Sequence, residues 1–274
     1  MPPRARVRLD QALVERGLAV TREAGKREIL AGNVLVDGVR EDKPGALVSQ
    51  HAEILVIQTG PGYVSRGGMK LAHALDEFGL DVTGLVAVDI GASTGGFTDC
   101  LLKRGAAKVY AVDVGRGQLA WELRQDPRVV VMERTNARYL TSEMFPDAPG
   151  FGTVDVSFIS LDKIIPPLAA VLTPVAQAVC LIKPQFEAGR EKVGKRGVVR
   201  SPEVHLDVIQ RAAGVAQGAG FAVLGLTPSP IRGPEGNAEF LVHLGRGIPG
   251  GFESESEFEA LAQQVVGQAH SKET

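Results

Sequence analysis

The sequence has few cysteines, which argues against a disulfide-stabilised fold and against a cysteine zinc site. Only two occur among the 274 residues, Cys100 and Cys180, and each lies in an apolar stretch. Neither belongs to a C-x-x-C pair or has a histidine close by in the sequence. We therefore expect both to be reduced core residues, and we predict no metal site.

The chain also lacks an apolar run long enough to cross a membrane, which takes about 18 residues. Its first ten residues, MPPRARVRLD, have no apolar segment of the kind found in a secretion signal. These two absences predict a cytoplasmic protein with no membrane partner.

A large net charge of either sign is missing too, although the basic residues are unevenly distributed. The formal net charge of −2 does not by itself favour a nucleic-acid partner. Basic residues nevertheless outnumber acids in residues 1–30 and in residues 183–200. A charged face is often only a solvated face, so RNA binding stays open on this basis. The RNA-binding candidates are Arg4, Arg6, Arg8, Arg22, Lys26, Arg27, Arg66, Arg190, Lys192, Lys195 and Arg196.

A glycine-rich turn lies within residues 85–98, LVAVDIGASTGGFT, and the rest of the chain is organised around it. Residues 85–90 form an apolar run typical of a strand buried on both faces of a parallel sheet, and helical periodicity begins at Phe97. Gly91, Gly95 and Gly96 allow a tight turn and a close approach to a ligand, because they lack a Cβ atom.

The glycine spacing, G-x-x-x-G-G, matches neither the dinucleotide fingerprint G-x-G-x-x-G nor the Walker loop. Asp89, directly before the turn, further disfavours a phosphate and suits a cationic or hydroxyl-bearing ligand. S-adenosyl-L-methionine fits better, and a strand-to-helix connection without a ligand is the alternative. The predicted cofactor-binding residues here are Asp89, Gly91, Ala92, Ser93, Thr94, Gly95, Gly96 and Phe97.

Residues 7–58 are predicted to form a small α+β unit of two helices followed by short strands at 34–36 and 54–57. Thr21 is the expected N-cap of the second helix. The segments RLDQALVERGLA (8–19), TREA (21–24) and I-x-x-G-x-V-x-V-x-G (29–38) resemble a small RNA-binding domain. That domain is found in a bacterial ribosomal protein, in pseudouridine synthases and in tyrosyl-tRNA synthetase.

Strand and helix patterns alternate after residue 85, which predicts an α/β, Rossmann-like sheet of seven strands with helices on both faces. Alternation of this kind predicts parallel strands. Residues 184–200 are expected to be a mobile loop. Strands are predicted at 85–90, 108–113, 128–133, 153–156, 177–183, 221–226 and 239–244, and helices at 97–104, 116–124, 160–172, 202–217 and 254–270.

Ligands of open α/β sheets bind outside the carboxyl ends of the strands, so polar residues at those ends are functional candidates. Asp113 lies where an acid can bind a ribose diol, although a turn or cap acid is equally compatible. Asn136 is a candidate for the adenine side. Lys183 ends an apolar run, so it would be partly desolvated and suited to proton transfer, or it snorkels to solvent. Asp155 ends the fourth strand.

Five motifs carry a closer resemblance that spans nearly the whole chain: DIGASTGGFT at 89–98, DVGRGQL at 113–119, DVSFISL at 155–161, KPQFE at 183–187 and NAEF at 237–240. They resemble the hemolysin A (TlyA-type) family of ribosomal RNA 2′-O-methyltransferases, whose catalytic domain is similar to the FtsJ-type methyltransferases. The resemblance implies S-adenosyl-L-methionine as cofactor, ribosomal RNA or ribosomal subunits as partner, and a ribose 2′-hydroxyl of cytidine as acceptor. It implies a catalytic tetrad of Lys70, Asp155, Lys183 and Glu239, and the predicted cofactor site is completed by Asp113, Val114 and Asn136.

We expect a small RNA-binding domain over residues 1–58, a linker at 59–64 and an FtsJ-like methyltransferase domain over 65–270. A non-catalytic RNA-binding or ribosome-assembly protein is one alternative. A membrane-acting hemolysin is another, disfavoured by the missing signal and spanning segment. A pseudouridine synthase is suggested only by the amino-terminal unit, and the glycine turn belongs to a different chemistry.

Overall fold

The fold was analysed in a computed structural model, which describes residues 6–56, 62–194, 197–252 and 254–271. The amino-terminal unit has two helices and two small antiparallel sheets around a core that includes Leu9, Leu13 and Ile29. The prediction that Thr21 is the N-cap of the second helix is confirmed, because its Oγ1 accepts a hydrogen bond from the Ala24 amide at 3.1 Å. Its elements are β1 Arg6–Arg8, α1 Leu9–Glu15, α2 Arg22–Leu30, β2 Val34–Val36, β3 Val39–Arg40, β4 Leu47–Ser49 and β5 Ile54–Val56.

The larger unit contains the predicted alternation of strands and helices. The described residues do not include residue 57, from the strand predicted at 54–57 in the amino-terminal unit, or residues 59–61 of the predicted linker. The elements of this unit are α3 Gly67–Glu77, β6 Val86–Ile90, α4 Gly96–Lys103, β7 Lys108–Val112, α5 Trp121–Gln125, β8 Val129–Met132, β9 Phe151–Val154, α6 Ile165–Val171, β10 Ala176–Ile182, α7 Pro184–Glu187, α8 Pro202–Gly218, β11 Ala222–Pro228, β12 Phe240–Arg246 and α9 Glu255–Ser271.

The predicted seven-stranded sheet is confirmed, with the strand order β11-β12-β10-β9-β6-β7-β8. Strands β6 to β10 pair in parallel, but β12 is antiparallel to both of its neighbours, β10 and β11. The expectation of uniformly parallel strands was therefore wrong for β12. The reason is that residues 229–239 between β11 and β12 contain no helix to carry the chain back to the other end of the sheet, so β12 returns antiparallel beside β11.

Apolar clusters cover both faces of this sheet, as the nearly continuous apolar strands predicted. The two cysteines are buried and unpaired within these clusters. Burial raises the pKa of both the Cys100 and the Cys180 thiol to about 12, so both remain uncharged core side chains.

Two segments differ from expectation. The helix predicted at 116–124 is only α5, because Gly115 and Gly117 bend the chain before it; Gly117 has a φ of 71°. The expected mobile loop at 184–200 instead begins with α7 and a 3₁₀ turn, Arg190–Lys192. Glu187 fixes this segment, since its carboxylate accepts hydrogen bonds from Ser160 Oγ at 2.5 Å and from the Leu161 amide at 2.9 Å.

Candidate active site

Four charged side chains meet at the carboxyl edge of the sheet. Asp155 and Lys183 directly follow the neighbouring parallel strands β9 and β10. Because β12 is reversed, its amino end lies at this same edge. Ile182 pairs with Phe240, so the adjacent Lys183 and Glu239 lie side by side. Lys70 joins them from the first turn of α3.

Two short ion pairs connect these four side chains. Lys70 Nζ lies 2.6 Å from Glu239 Oε2, and Lys183 Nζ lies 2.5 Å from Asp155 Oδ1. Lys183 Nζ also donates a hydrogen bond to Ser157 Oγ at 3.1 Å. The structure thus brings together all four residues of the predicted tetrad.

Burial and charge act in opposite directions on this cluster. Burial disfavours the Lys70 ammonium, but the carboxylates of Glu239 and Asp155 outweigh it and raise the Lys70 pKa. Burial likewise disfavours the Asp155 carboxylate, but Lys183 and Lys70 outweigh it and lower the Asp155 pKa. Lys70 and Asp155 are therefore both charged at neutral pH.

Among the described residues, Asp155 Oδ1 and Glu239 Oε1 are buried without a hydrogen-bond donor; Asp155 Oδ1 still has Lys183 as an ion-pair partner, whereas Glu239 Oε1 has none. Glu239 is only 2% exposed, and its Oε1 atom has no hydrogen-bond partner among the described residues. A Cβ atom at Gly233 would lie 2.6 Å from this oxygen, so glycine is needed there to leave room for it. A buried carboxylate oxygen without a partner is costly, which indicates a ligand that donates a hydrogen bond to it.

A cavity of about 800 Å³ opens beside the tetrad. The glycine turn forms one wall, and the residues after β9 and β10 form another. Within the described ranges, no three His, Cys, Asp or Glu side chains are arranged to hold a metal ion, and no helix is long and apolar enough to span a bilayer. The cavity is lined by all four tetrad residues and by Gly91, Ala92, Ser93, Thr94, Gly96, Phe97, Ser157, Phe158 and Phe186, among others.

The glycines of the turn are required by contacts within the protein. A Cβ atom at Gly91 would lie 2.4 Å from the Asp155 carbonyl oxygen, and one at Gly96 would lie 2.2 Å from Ser65 Oγ. Gly95 has a φ of 100° at the start of α4 and does not line the cavity. Gly91 and Gly96 also line the cavity, so the predicted close approach to a ligand stays a prediction, while their contacts let the turn pack against Asp155 and α3.

Asp89 does not line the cavity, contrary to the expectation of direct cofactor contact. Its side chain is fully buried, and its oxygens accept hydrogen bonds from Thr98 Oγ1 at 2.7 Å and from Thr153 Oγ1 at 2.9 Å. Burial raises its pKa to about 6, with the charge of Asp155 adding to the effect. Asp89 therefore links the glycine turn's strand to α4 and β9.

The remaining predicted cofactor residues lie beyond the cavity. Asp113 Oδ2 accepts a hydrogen bond from the Ser93 amide at 2.8 Å, and Oδ1 accepts one from the Gly115 amide at 2.6 Å. Asp113 is thus held at the end of β7 beside the turn. Val114 is exposed, and the Asn136 side chain accepts a hydrogen bond from the Arg138 amide at 3.1 Å.

Comparison with known proteins follows the same division of the chain. The family model for the FtsJ-like methyltransferase matches residues 63–246, and the model for the S4 domain matches residues 7–54. The chain belongs to the FtsJ-like methyltransferase family.

Relatives of this FtsJ-like protein cover most of its length. The 16S/23S rRNA (cytidine-2′-O)-methyltransferase TlyA of Mycobacterium tuberculosis is 46% identical over 87% of this chain and 90% of its own. Hemolysin A of Brachyspira hyodysenteriae is 44% identical over 87% of this chain and 99% of its own. A solved Streptococcus thermophilus structure that carries a hemolysin name has a TM-score of 0.76 and 45% identity, covering 98% of this chain and 97% of that one.

The basic residues predicted on the S4 domain are largely engaged with acids. The buried Asp10 carboxylate holds Arg8 Nη2 at 2.9 Å and Arg22 Nε at 3.1 Å, which places the two arginines together. Lys26 pairs with Glu23 at 2.7 Å. Arg6 is exposed, and Arg27 Nη1 lies 3.9 Å from Glu122 Oε2 of the FtsJ-like domain.

The other predicted basic residues lie on the FtsJ-like domain. Arg66 lines the cavity. Arg190 is exposed, and Lys192 Nζ pairs with Asp207 at 3.0 Å. The candidates Arg4, Lys195 and Arg196 lie outside the described residues.

Sequence reasoning missed an aromatic side chain in the cavity wall. Phe158 is 90% exposed and has a φ of 64°, a left-handed conformation that bulky residues rarely adopt. Its ring centroid lies 4.9 Å from that of Phe186. The signal was available in the motif DVSFISL, where an apolar residue follows the strand end that carries Asp155.

Proposed function

We propose that the chain is an S-adenosyl-L-methionine-dependent methyltransferase that methylates a ribose 2′-hydroxyl of cytidine in ribosomal RNA. The convergence of Lys70, Asp155, Lys183 and Glu239 in one cavity beside the glycine turn carries this proposal. The TlyA relatives named as rRNA (cytidine-2′-O)-methyltransferases support the choice of substrate.

The residues beside the turn fit this cofactor, which supplies an electrophilic methyl group when bound. Ala92, Ser93 and Thr94 line the same cavity as the four tetrad residues, so a cofactor bound along the turn would lie beside the tetrad. No lysine follows the last glycine of the turn, as a phosphate-binding Walker loop would require. We assign cofactor binding to the cavity-lining part of the turn. Asp113 lies outside the cavity but accepts a hydrogen bond from the Ser93 amide, so we assign it to a cofactor ribose that extends past Ser93.

We assign to Lys183 the removal of the proton from the acceptor hydroxyl. Asp155 Oδ1 and Ser157 Oγ fix its Nζ atom at the end of β10. In its unprotonated form this amine would take the proton of the hydroxyl, and the electron pair of the broken O–H bond would remain on the oxygen. The cofactor, when bound, would supply the methyl group, and the electron pair of its carbon–sulfur bond would stay on the sulfur.

The Lys70–Glu239 pair is assigned to hold the acceptor nucleotide. Lys70 binds Glu239 Oε2 at 2.6 Å, which fixes the carboxylate and leaves Oε1 to accept a hydrogen bond from the nucleotide. The Lys70 ammonium also stabilises negative charge that develops on the attacking oxygen.

RNA recognition is assigned to the S4 domain, within a division into residues 1–58, a linker at 59–64 and a methyltransferase domain over 65–270. The Asp10-held pair of Arg8 and Arg22 presents two guanidinium groups together, which suits a phosphodiester.

Transfer of a tritiated methyl group to ribosomal subunits tests the proposal. Lys183→Ala should lower the rate by a factor of about 10² or more, because proton transfer is lost, while cofactor affinity in calorimetry stays unchanged. Lys108→Ala is the control, since this partly exposed lysine begins β7 at the opposite edge of the sheet. Full activity of Lys183→Ala would refute the assignment. Absence of transfer by the unsubstituted chain would favour the non-catalytic RNA-binding alternative.

Mapping of 2′-O-methyl groups identifies the acceptor. The RNA of the two subunits is mapped separately. A cytidine in at least one of them should gain the modification when the protein is present and remain unmodified with Lys183→Ala. A methyl group found on a base would contradict the 2′-hydroxyl assignment.

A further inference from the structure

Two arginines from different domains converge beside the cavity. Arg40 ends β3 of the S4 domain, and Arg66 directly precedes α3 of the FtsJ-like domain. A Cβ atom built on Gly32 would lie 3.5 Å from Arg40 Cδ, 3.8 Å from Arg40 Nε and 3.9 Å from Arg66 Nη1. Gly32 and Arg66 both line the cavity that contains the tetrad.

Neither arginine has an acid as an ion-pair partner among the described residues. Arg40 Nε is buried without a hydrogen-bond partner, and Arg66 Nη2 donates to the Arg232 carbonyl at 2.8 Å. Burial lowers the pKa of Arg66 to about 10, with Arg40 adding to the effect and Glu239 opposing it. Burial also lowers the Arg40 pKa. Two neighbouring guanidinium groups without a counter-ion destabilise each other, which indicates an anionic ligand.

The acids of the cavity do not supply that anion. Asp42 and Glu235 line the same cavity, but the described side chains include no ion pair between either acid and the two arginines. Asp155 and Glu239 are already paired with lysines. The missing negative charge must therefore come from a bound molecule.

We propose that Arg40 and Arg66 form a phosphodiester-binding site for the RNA chain next to the methylated ribose. The inference rests on the proposed function, because it assumes an RNA substrate in the tetrad cavity. Guanidinium groups bind phosphate oxygens through paired, charge-assisted hydrogen bonds, and Arg66 lines the open cavity into which such a phosphate would enter.

The site would couple the two domains. One arginine comes from each domain, so a phosphate that binds both neutralises a repulsion between the domains at the moment the ribose enters the cavity. RNA recognised by the S4 domain would thereby stabilise the arrangement in which the tetrad is completed.

The test compares the full-length variants Arg40→Gln, Arg66→Gln and the double variant, with Arg128→Gln as control. Arg128 loses the same charge but pairs with Asp126 at the opposite edge of the sheet. RNA binding is measured as a function of salt concentration, cofactor binding by calorimetry and stability by thermal unfolding.

Each single substitution should weaken RNA affinity roughly tenfold or more relative to Arg128→Gln and reduce the slope of log affinity against log salt by about one. The double variant should lose less than the product of the two single losses, since both arginines hold one phosphate. Cofactor affinity should be unchanged. Tm should not fall for Arg40→Gln, because an unpaired cation is removed, whereas a purely structural role would lower it.

Three results would overturn the inference: RNA affinity and salt slope equal to the control, fully multiplicative losses, or weakened binding to ribosomal subunits with unchanged binding to isolated rRNA. The last result would mean that a protein carboxylate occupies the site. Methyl transfer by the unsubstituted chain tests the proposed function separately, because RNA binding is measured without turnover.

Discussion

Asp89→Asn tests whether a buried carboxylate destabilises the fold at neutral pH. The Asp89 pKa is raised from 3.8 to about 6 because the side chain is fully buried beside the charged Asp155. Between these two values the folded protein keeps a proton that the unfolded chain has lost. The free energy of unfolding therefore falls as pH rises through this window, by about 3 kcal/mol for the whole gap.

Asparagine at position 89 cannot ionise, so the variant lacks this dependence. The difference in unfolding free energy, variant minus unsubstituted protein, should increase by about 2–3 kcal/mol between pH 4 and pH 7. Taking the difference between the two proteins cancels the titration of the other carboxylates, including Asp155, whose pKa is lowered. Urea unfolding followed by the fluorescence of Trp121, the single tryptophan, reports on the domain that contains Asp89.

Asp81→Asn is the matched control. Asp81 is an exposed acid whose pKa is lowered by hydrogen bonds from Thr83, so its titration should change stability with pH in the opposite sense. A difference for Asp89→Asn that stays flat between pH 4 and pH 7 would refute the reasoning. It would mean that Thr98 and Thr153 stabilise the carboxylate enough to cancel the cost of burial.

Two further substitutions separate stability from catalysis. Lys70→Met should lower the free energy of unfolding by roughly 3–5 kcal/mol in urea titrations, because Glu239 is left buried and unpaired. Adding Glu239→Leu should recover part of the loss. If the losses of the two single variants simply add in the double variant, the buried pair is contradicted. Phe158→Ala should leave Tm nearly unchanged, because the ring is 90% exposed, but should lower the rate of methyl transfer by removing a surface on which a base stacks. The control is Tyr139→Ala, because Tyr139 is an exposed aromatic residue that does not line the cavity. Equal transfer rates for the two variants would count against the stacking role.

The sequence allowed the strand ends to be predicted closely, and two residues of the proposed active site followed from them. Asp155 and Lys183 come directly after β9 and β10, because apolar runs of buried parallel strands end abruptly at the first polar residue. The N-cap Thr21 was equally predictable, since a hydroxyl just before a helix can accept a hydrogen bond from an amide of the first turn.

Side-chain direction was not predictable at the glycine turn. Asp89 lies two residues before Gly91, which suggested a ligand contact, but a strand alternates its side chains between two faces. The outcome depended on Thr98 and Thr153, which are distant in sequence and supply the two hydroxyl donors that hold the carboxylate inside the protein. A local motif cannot reveal such partners, because they are set by the pairing of β6 with β9.

The reversed strand β12 explains how a carboxylate at the start of a strand, Glu239, comes to line the tetrad cavity. In a parallel sheet only residues after a strand reach the ligand edge, so Glu239, directly before β12, would lie at the far edge if β12 ran parallel. The reversal places Glu239 beside Lys183, because these two residues come directly after Ile182 and directly before Phe240, which pair with each other. Lys70 then has a buried anion within 2.6 Å, which accounts for a lysine in the first turn of α3, where the helix dipole disfavours it. The reversed strand, the buried Glu239 and the ill-placed Lys70 are thus one structural solution, and changing the direction of β12 would leave both charges unpaired.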